Sequence, residues 1–479
     1  MVAPITDSLT VYPGALFRGL DHELTRILRR YVPGIIKGGA IALLSWIFIR
    51  LAKQLHSCIK PLPFPGPKGS PICGMAFKLD PKRALTSMSA WVKEFGETIS
   101  FRVFSKTFVV TKNHDTLQQI FRDSSKGLFV RQFNTLGLLP ESGIFLTHGQ
   151  AWGEGRRRVD PILAETNVRG LVPAMSQMSR RLVNVLSAMS DCAGQVHDWE
   201  PHGLLQLTAL DFTFATHFGK DFNFLSPLDT NGAADREYTL GAFQDFLTGF
   251  DFILKHQALG PLLQNRYPNK LSQKVAKFYS SVAKVETSAR EIIEQRKKEL
   301  SEGAEPKCTV LDKLIAEKRL DLAWNLITFT LSGGTSVPSN IEWFLYLMCI
   351  NQDAQKKARA EVDALGKDPT DNDDLDKLRY VEACVLETLR MNNSTPGPLP
   401  YLTTAPYTIE GRELEAGTVL IMMTGEAMKS KIHGGEEFRP EGWFVPGTGD
   451  IDRQRARNHW AFTGSPRRCP GQYLAMKSV

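Results

Sequence analysis

The sequence predicts a mainly α-helical domain with small β-sheets, an α+β organisation. Apolar residues recur at helical spacing from about Asp115 to Asn392, and short β-rich runs stand outside this stretch at Thr98–Val103, Thr107–Thr111 and 407–421. No long Gly/Ser or acidic linker divides the 479 residues. One large domain behind a short leader is therefore the simplest prediction.

The net charge of +7 is concentrated near the N-terminus, where residues 1–60 hold eight Lys/Arg against three Asp/Glu. Because these cations flank an apolar segment, the pattern favours an anionic membrane surface as the partner and not a nucleic acid. The seven cysteines are widely spaced and include no Cys-x-x-Cys pair. Neither a disulfide framework nor a zinc site is therefore indicated.

An apolar segment close to the N-terminus is predicted to anchor the protein in a membrane. Residues 1–31 have the pattern of an amphipathic leader, and the uncharged run that follows Lys37 ends at Arg50. The run alone would span only ~18 Å as a helix. If the two flanking cations snorkel, the segment extends over residues 32–52 and matches a hydrocarbon core of ~30 Å. A buried helix or an interfacial segment is the alternative.

A Pro-rich stretch separates this segment from the globular part. Residues 53–71 end in a run of alternating prolines, which cannot continue a helix because proline has no amide N–H. The stretch is predicted to be a stiff, extended hinge. The globular domain is then expected over residues 72–479.

Cys469 is the main candidate for a metal ligand. It lies in a loop of Gly and Pro, directly after Arg467 and Arg468 and before a short helical pattern. Guanidinium groups and a helix N-terminus stabilise the thiolate, which is the form of cysteine that binds metals. An unpaired cysteine in a turn before a helix is the simpler alternative, because short patterns recur by chance.

The stretch around Cys469 resembles the haem-binding loop of the cytochrome P-450 family, Phe-x-x-Gly-x-Arg-x-Cys-x-Gly. Four of the five fixed positions are matched, by Phe462, Arg467, Cys469 and Gly471. The fifth holds Ser465, with Gly464 one place early, so the tight turn is expected to shift by one residue. The resemblance implies that Cys469 is the proximal iron ligand of haem b, where a thiolate favours cleavage of an O–O bond.

Trp152 and Arg156 form a second motif, since residues four apart share one face of a helix. An indole N–H and a guanidinium are both hydrogen-bond donors only, which suits a carboxylate. The pair is similar to the family's Trp-x-x-x-Arg, and the resemblance implies that both residues, together with Arg467, hold the haem propionates. A surface helix with a basic patch is the alternative.

The longest apolar helical run carries two glycines and Pro338 near its centre. These cost ~1 kcal/mol per glycine and ~3 kcal/mol for proline in a helix interior, so the run predicts a kinked, loosened turn. It is similar to the family's oxygen-site helix, which implies that Gly333, Thr335 and Ser336 frame the oxygen site. Thr335 stands where the family has an acid, so proton delivery would use Ser336 and water. A kink that serves packing alone is the alternative.

Glu387 and Arg390 lie three apart, as an ordinary surface ion pair on a helix would. They also resemble the family's Glu-x-x-Arg, which implies a structural role. Two departures accompany the pair. Gly442 stands at the third position of the family's Glu-Arg-Arg triad, for which Arg439 is the predicted substitute, and Tyr401 stands where many members carry a propionate-binding Arg or His.

The C-terminal part departs most from the family. The chain ends ten residues after Cys469, whereas family members continue with a hairpin that lines the substrate pocket. A shortened or incomplete product is therefore expected. The aromatic-rich residues 129–145 and 222–252 are candidates to line an apolar pocket.

The resemblance as a whole implies a membrane-anchored, fungal-like monooxygenase of the endoplasmic reticulum that faces the cytosol. It would hydroxylate or epoxidise a small apolar substrate of secondary metabolism. Electrons would come from an NADPH-dependent reductase. The candidate docking face consists of Arg453, Arg455, Arg457, Arg467, Arg468 and Lys477. The alternatives are a reductase-independent isomerase or dehydratase, and an inactive haem-binding remnant.

Overall fold

The computed structural model describes residues 60–80, 83–131, 143–197, 199–225, 240–242, 244–245, 273–316, 322–394, 400–464 and 466–479, together with residues 45, 46, 49 and 52. The leader, most of the anchor and residues 53–59 of the hinge predicted for the N-terminus lie outside these residues. Among the residues that are described, no helix has both the length and the apolar character needed to cross a membrane.

The chain divides into two compact units. The smaller comprises residues 1–61, 68–77 and 102–105, and the larger comprises 62–67, 78–101 and 106–479. In the smaller unit a tight turn is closed by two hydrogen bonds between Ser70 and Gly74, both 2.9 Å long. Gly74 has a φ of 57°, and a Cβ there would lie 2.2 Å from the Arg102 carbonyl oxygen, so only glycine fits.

The first half of the chain supplies three strands of the main sheet and helices of 4 to 18 residues. These are α1 (Ala84–Glu94), β1 (Thr98–Val103), β2 (Lys106–Thr111), α2 (His114–Asp123), β3 (Phe129–Arg131), α3 (Gly143–Leu146), α4 (Gly149–Ile162), α5 (Glu165–Val168), α6 (Val172–Met189) and α7 (Pro201–Thr213). A π-helical turn, Phe214–Phe218, extends α7. The two strands predicted before residue 112 are thus confirmed.

The second half supplies the long helices, the remaining strands and the cysteine loop. These are α8 (Gln273–Ser301), α9 (Val310–Ala316), α10 (Leu322–Ile350), α11 (Gln352–Leu365), α12 (Asn372–Leu375), α13 (Arg379–Met391), β4 (Tyr401–Thr403), β5 (Tyr407–Ile409), β6 (Arg412–Leu414), β7 (Val419–Met422), α14 (Thr424–Met428), α15 (Arg453–Arg457) and α16 (Gln472–Ser478). The mainly α organisation with small sheets is as the sequence predicts.

The main sheet has five strands in the order β1-β2-β7-β4-β3. Strands β2 and β7 run parallel, and β4 runs antiparallel to both β7 and β3. Strands β5 and β6 form a separate hairpin around Gly411, whose φ is 71°. The sequence predicted one hairpin over residues 407–421, but the second β-rich run joins the main sheet.

Helix α10 lies in the centre of the helical core. Its buried residues Leu326, Ile327 and Phe329 belong to a cluster that also contains Leu210 and Leu311. The helix is unbroken from Leu322 to Ile350, where the sequence predicted a loosened turn. Within it, hydroxyl groups bond to carbonyls one turn earlier, a pattern that bends helices slightly without breaking them.

Candidate functional site

The loop that carries Cys469 is closed by its own backbone. The Cys469 N–H donates to the Phe462 carbonyl over 2.9 Å, and the buried Phe462 ring packs with Val385 and Leu389 of α13. Cys469 is exposed to solvent, but the protein atoms packed around its sulfur raise the pKa of the thiol above its ordinary value, and this outweighs the lowering by the Gly471 N–H and nearby guanidinium groups. Those donors act in the direction of the thiolate, which is the ligating form, without overcoming the effect of burial.

The turn within this loop depends on the glycine that stands one position early. A Cβ on Gly464 would lie 2.3 Å from Cγ of Phe121, so no larger residue fits without displacing that ring. The preceding Thr463 has φ 63° and ψ −175°, a region that is otherwise almost confined to glycine. Its hydroxyl bonds to the Arg467 carbonyl over 3.2 Å. Ser465 lies outside the described residues.

The predicted propionate ligands come together beside the loop. The Arg467 guanidinium lies 4.0 Å from the centre of the Trp152 ring and donates two hydrogen bonds to the Thr147 carbonyl. Arg156, one turn after Trp152 on α4, donates to the Arg468 carbonyl over 2.8 Å and pairs with Asp160. Helix α4 is thereby tied directly to the cysteine loop.

Arg131 is a further cation of the site that the sequence analysis missed. It lies on β3 opposite Tyr401 of β4. Its charge lowers the pKa of both Arg156 and Arg467. Tyr401 was the one signal in the sequence, but the strand register that sets Arg131 beside it cannot be deduced from residue spacing.

This cluster fits a dianionic group such as the two propionates of haem b. Burial is the main cause that lowers the pKa of Arg156, and it lowers the pKa of Arg467 to about 10. The Arg156 Nε is buried and has no hydrogen-bond partner. Since buried cations are stable when paired with anions, the residues present suit a group that brings two carboxylates to the thiol of Cys469.

The residues predicted for the oxygen site face α7 or form hydrogen bonds within their own helix, α10. Gly333 faces α7, where a Cβ would lie 3.1 Å from Oγ1 of Thr213. Thr335 is exposed and Ser336 half-buried. Their hydroxyls donate over 2.7 Å to the carbonyls of Leu331 and Ser332. Among the described residues, no hydrogen bond joins Thr335 or Ser336 to the Cys469 loop.

His217, in the π-helical turn, is a buried polar residue beside α10 that the sequence analysis missed. Its side chain is 3% exposed, and no residue in the described part of the chain forms a hydrogen bond with its Nδ1. Burial lowers its pKa to about 4, so the imidazole is neutral. Its Cε1 lies 4.0 Å from the position that a Cβ on Gly333 would take. π-Helical turns are rare and are frequent at functional sites.

Glu387 and Arg390 are buried and do not form the surface pair that was the alternative prediction. Glu387 accepts two hydrogen bonds from Arg390, one from the Arg439 backbone and one from the Trp443 indole, all between 2.8 and 2.9 Å. Arg390 also donates to three backbone carbonyls, those of Met428, Gly435 and Glu437. The pair therefore links α13 to the segments that precede the cysteine loop.

Two of the six cations predicted for the reductase-docking face are engaged inside the protein. Arg467 is buried on Trp152, and Arg455 is half-buried with its guanidinium on the Trp443 ring, because both cations stack on indoles. Three of the remaining cations have local partners. Arg453 pairs with Glu382, Lys477 pairs with Asp376, and Arg468 donates to the Arg457 carbonyl.

The described parts of the aromatic-rich segments belong to the core. Phe129 stacks on Tyr401 with ring centres 5.5 Å apart, and Phe222 meets Phe214 edge to face at 4.9 Å. A small apolar cavity of about 30 Å³ lies between α7, α8 and α10, lined among others by Phe214 and Leu331. The prediction of a pocket from residues 132–142, 226–239 and 246–252 falls outside the described residues.

The chain is similar to known proteins over most of its length. The family model described as cytochrome P-450 matches residues 64–479. A cytochrome P-450 monooxygenase of Coprinopsis cinerea is 24% identical over 87% of this chain and 80% of that protein, and one of Armillaria gallica is 24% identical over 91% and 84%. A self-sufficient cytochrome P-450 monooxygenase of Aspergillus kawachii is 25% identical, and the chain spans 39% of its length.

Proposed function

The chain belongs to the cytochrome P-450 family of haem-thiolate monooxygenases, and from this we propose that it inserts one oxygen atom of molecular oxygen into an apolar organic substrate. Hydroxylation or epoxidation is the expected reaction. The observation that carries the proposal is the convergence of Arg131, Arg156 and Arg467 on the loop of Cys469. Haem b, once bound there, supplies the oxygen-activating chemistry.

The residues of the loop would hold the cofactor. Cys469 would bind the iron as thiolate, and the N–H of Gly471 would stabilise its negative charge. Phe462 would fix the loop against α13, since its carbonyl accepts from the Cys469 N–H. The loop would thus be oriented by α13 before any cofactor binds.

The propionates would be held by the cationic cluster. Arg156 and Arg467 would each contribute guanidinium N–H groups, with Trp152 as the surface on which Arg467 lies. Arg131 would supply the charge that Tyr401 lacks. Because Arg467 is buried and Arg131 and Arg156 are half-buried, their hydrogen bonds to carboxylates would be stronger than at an exposed surface.

On α10, Gly333, Thr335 and Ser336 would frame the oxygen site. The absence of a side chain at Gly333 keeps α10 close to α7. Ser336 would pass a proton by turning its hydroxyl away from the Ser332 carbonyl that it now meets. Thr335 cannot donate a proton as a carboxylic acid would, so delivery would depend on Ser336 and water.

Electrons would come from NADPH through a separate flavoprotein reductase. Two of the curated relatives are named as a self-sufficient monooxygenase and as a bifunctional cytochrome P-450/NADPH–P-450 reductase, and the chain spans 39% and 35% of them. The exposed cations Arg453 and Arg457 would contribute to a reductase-docking surface. Arg455 and Arg467 would not, because they are engaged inside the protein.

The domain organisation proposed is a leader over residues 1–31, an anchor over 32–52, a hinge over 53–71 and the monooxygenase domain over 72–479. We place the protein at the endoplasmic reticulum with this domain in the cytosol, and its substrate in secondary metabolism. Deletion of residues 1–61 should move the protein from the membrane pellet to the supernatant. A deleted form that still sediments with membranes would contradict the anchor.

The proposal is tested first by the absorption spectrum of the dithionite-reduced protein with carbon monoxide. The red-shifted band of a haem thiolate is expected, and a band at the unshifted position would contradict ligation by Cys469. Oxidation of apolar substrates is then measured with and without NADPH and a reductase. Dependence on both supports the monooxygenase.

A reductase-independent isomerase or dehydratase is the second candidate. It is favoured by Thr335, because a site without an acid suits reactions that need no proton delivery to oxygen. Conversion of a hydroperoxide or an oxime without NADPH would select this candidate. A protein that binds haem but forms no product with or without NADPH would select the inactive haem-binding remnant.

A further inference from the structure

Arg455, on the short helix α15, occupies space that the missing side chain of Gly442 leaves open. Its Nη1 lies 3.9 Å from the position that a Cβ on Gly442 would take, and Nε of Arg439 lies 3.8 Å from the same point. The guanidinium donates to the carbonyls of Gly442 and His433 and lies 4.4 Å from the centre of the Trp443 ring. A side chain from a later segment is therefore fixed at three points around residue 442.

Trp443 is the residue through which Arg455 can act. Its indole N–H donates to Glu387 over 2.9 Å, and its ring stacks on His459 with centres 5.1 Å apart. The His459 Nε2 donates to the Leu386 carbonyl, and its Nδ1 accepts from the Ala461 N–H, both over 3.1 Å. Trp443 thus lies between α13 and the segment that leads into the cysteine loop.

The charges around Arg455 are consistent with this placement. The negative charge of Glu387 stabilises the Arg455 cation, whereas burial, as the main cause, and the cations Arg390 and Arg439 lower its pKa. Asp452, at the start of α15, adds a second favourable charge. Arg455 is thus an additional cation held close to a buried acid that is already bonded to Arg390.

We propose that Arg455 is a positioning residue for the cysteine loop, and that its guanidinium does from α15 what a side chain at position 442 would otherwise do. It holds the Trp443 ring against Glu387 and His459, and His459 in turn fixes the backbone at Ala461, directly before Phe462. Arg439, the substitute expected from the sequence, bonds to Glu387 through its backbone N–H.

Arg453 provides a matched control on the same helix. It is exposed and pairs with Glu382 at the surface, so its loss removes a cation of α15 without touching Trp443. Exposed ion pairs of this kind contribute little to stability. A difference between the two positions therefore reports the contacts of Arg455 and not the net charge of α15.

The test is a double-mutant cycle between positions 442 and 455, with Arg455→Ala, Gly442→Arg and the double variant, each purified as the full chain. Arg455→Ala should lower the thermal midpoint by about 3–6 °C and increase the share of the unshifted band in the reduced carbon monoxide spectrum. Arg453→Ala should change neither. Gly442→Arg alone should also destabilise, because its side chain meets Arg455.

The double variant decides the proposal, because it moves the guanidinium from α15 to position 442. It should recover at least half of the decrease in the thermal midpoint and at least half of the lost red-shifted band. Arg455→Lys should recover less, since an ammonium lacks the planar face that lies on Trp443. Additive effects of the two changes, or an Arg455→Ala protein that behaves like Arg453→Ala, would overturn the proposal. If Arg455→Ala does not fold, the thermal midpoint of the double variant is compared with that of Gly442→Arg. A double variant that folds and is at least as stable as Gly442→Arg supports the proposal, and a less stable one overturns it.

Discussion

Two buried histidines show how differently the two sides of this protein use their polar groups. His459, beside the Glu387 cluster, has both ring nitrogens hydrogen-bonded. For His217, beside Gly333 on α10, no described residue offers Nδ1 a hydrogen bond. The residues around the two histidines differ in the same way: Glu387 bonds to Arg439 and Trp443 outside its own helix, whereas Thr335 and Ser336 bond within their own helix. The polar groups around Glu387 hold separate parts of the fold together. Those around Gly333 can still form other hydrogen bonds.

The largest effect is expected from Cys469→Ala, on the Glu387 side of the protein. Removal of the thiol should abolish the red-shifted band of the reduced carbon monoxide complex, because no other sulfur of the loop can bind the iron. Cys349→Ala, at an exposed cysteine of α10, is the control and should leave the band unchanged. A persistent band in Cys469→Ala would remove this residue from the site.

A large loss of stability is expected from Glu387→Gln. The change leaves Arg390 buried without its carboxylate, and breaking a buried pair costs about 3–5 kcal/mol. Glu382→Gln is the matched control, because Glu382 pairs with Arg453 at the surface, and it should cost less than about 1 kcal/mol. Denaturant unfolding measures both, and equal losses would contradict the role given to the buried pair.

The two histidines give the direct test of the comparison. His459→Phe should lose about 1–3 kcal/mol at pH 7, because it leaves two backbone groups without partners. His217→Phe should be close to neutral or stabilising, because its Nδ1 has no bond to lose. Chemical unfolding of both variants measures the difference, and a loss at His217 as large as that at His459 would show that Nδ1 does have a partner.

The pH dependence sharpens the same test. The pKa of His217 is about 4 in the folded protein against 6.5 when unfolded. Its contribution to stability is therefore complete above pH 6.5 and is lost as pH falls toward 4, by about 2 kcal/mol at pH 5. His217→Phe should gain relative to the parent over this interval in unfolding experiments. A constant difference between pH 7 and pH 5 would contradict the lowered pKa.

A smaller effect is expected from Thr463→Gly in the cysteine loop. Glycine adopts φ 63° and ψ −175° without strain, so the variant should gain about 1 kcal/mol in the free energy of unfolding. The loss of the hydroxyl bond to the Arg467 carbonyl reduces this gain. Thermal unfolding measures this gain. Thr403→Gly, at a threonine within β4, should instead destabilise, and similar effects at both sites would argue against strain at Thr463.

The smallest effect on stability is expected from Ser336→Ala. Its hydroxyl bonds only to its own helix, so the free energy of unfolding should change by less than about 0.5 kcal/mol. Product formed per NADPH consumed should nevertheless fall, because the proposed proton carrier is gone. Ser332→Ala, one turn earlier, is the control for helix propensity. Unchanged coupling in Ser336→Ala would remove Ser336 from proton delivery.

The sequence could predict those parts of the site that depend on local spacing. Trp152 and Arg156 share a face because they are four apart, and Cys469 follows its arginines directly. Arg131 could not be found this way, because its place depends on the register between two strands far apart in the chain. Arg455 was assigned to a docking surface, since sequence spacing does not show that its side chain turns inward onto Trp443.

The burial of a residue is equally hard to predict from the sequence. Glu387 and Arg390 have the spacing of a surface pair, and only the packing of α13 against later segments buries them. The π-helical turn at His217 has no pattern of its own in the sequence. Helix α10 was expected to loosen at Pro338, but tertiary packing holds it in one piece.

The parallel pairing of β2 with β7 has a consequence for how the protein is made. The paired residues, such as Phe108 and Val419, are roughly 300 positions apart, and such non-local pairings form slowly. Strand β3 joins the sheet only through β4 and β7. Helices with local contacts can therefore assemble early, whereas Arg131 reaches its position only when the sheet closes. A chain that has not yet formed this sheet would lack one of the three cations proposed to hold the cofactor.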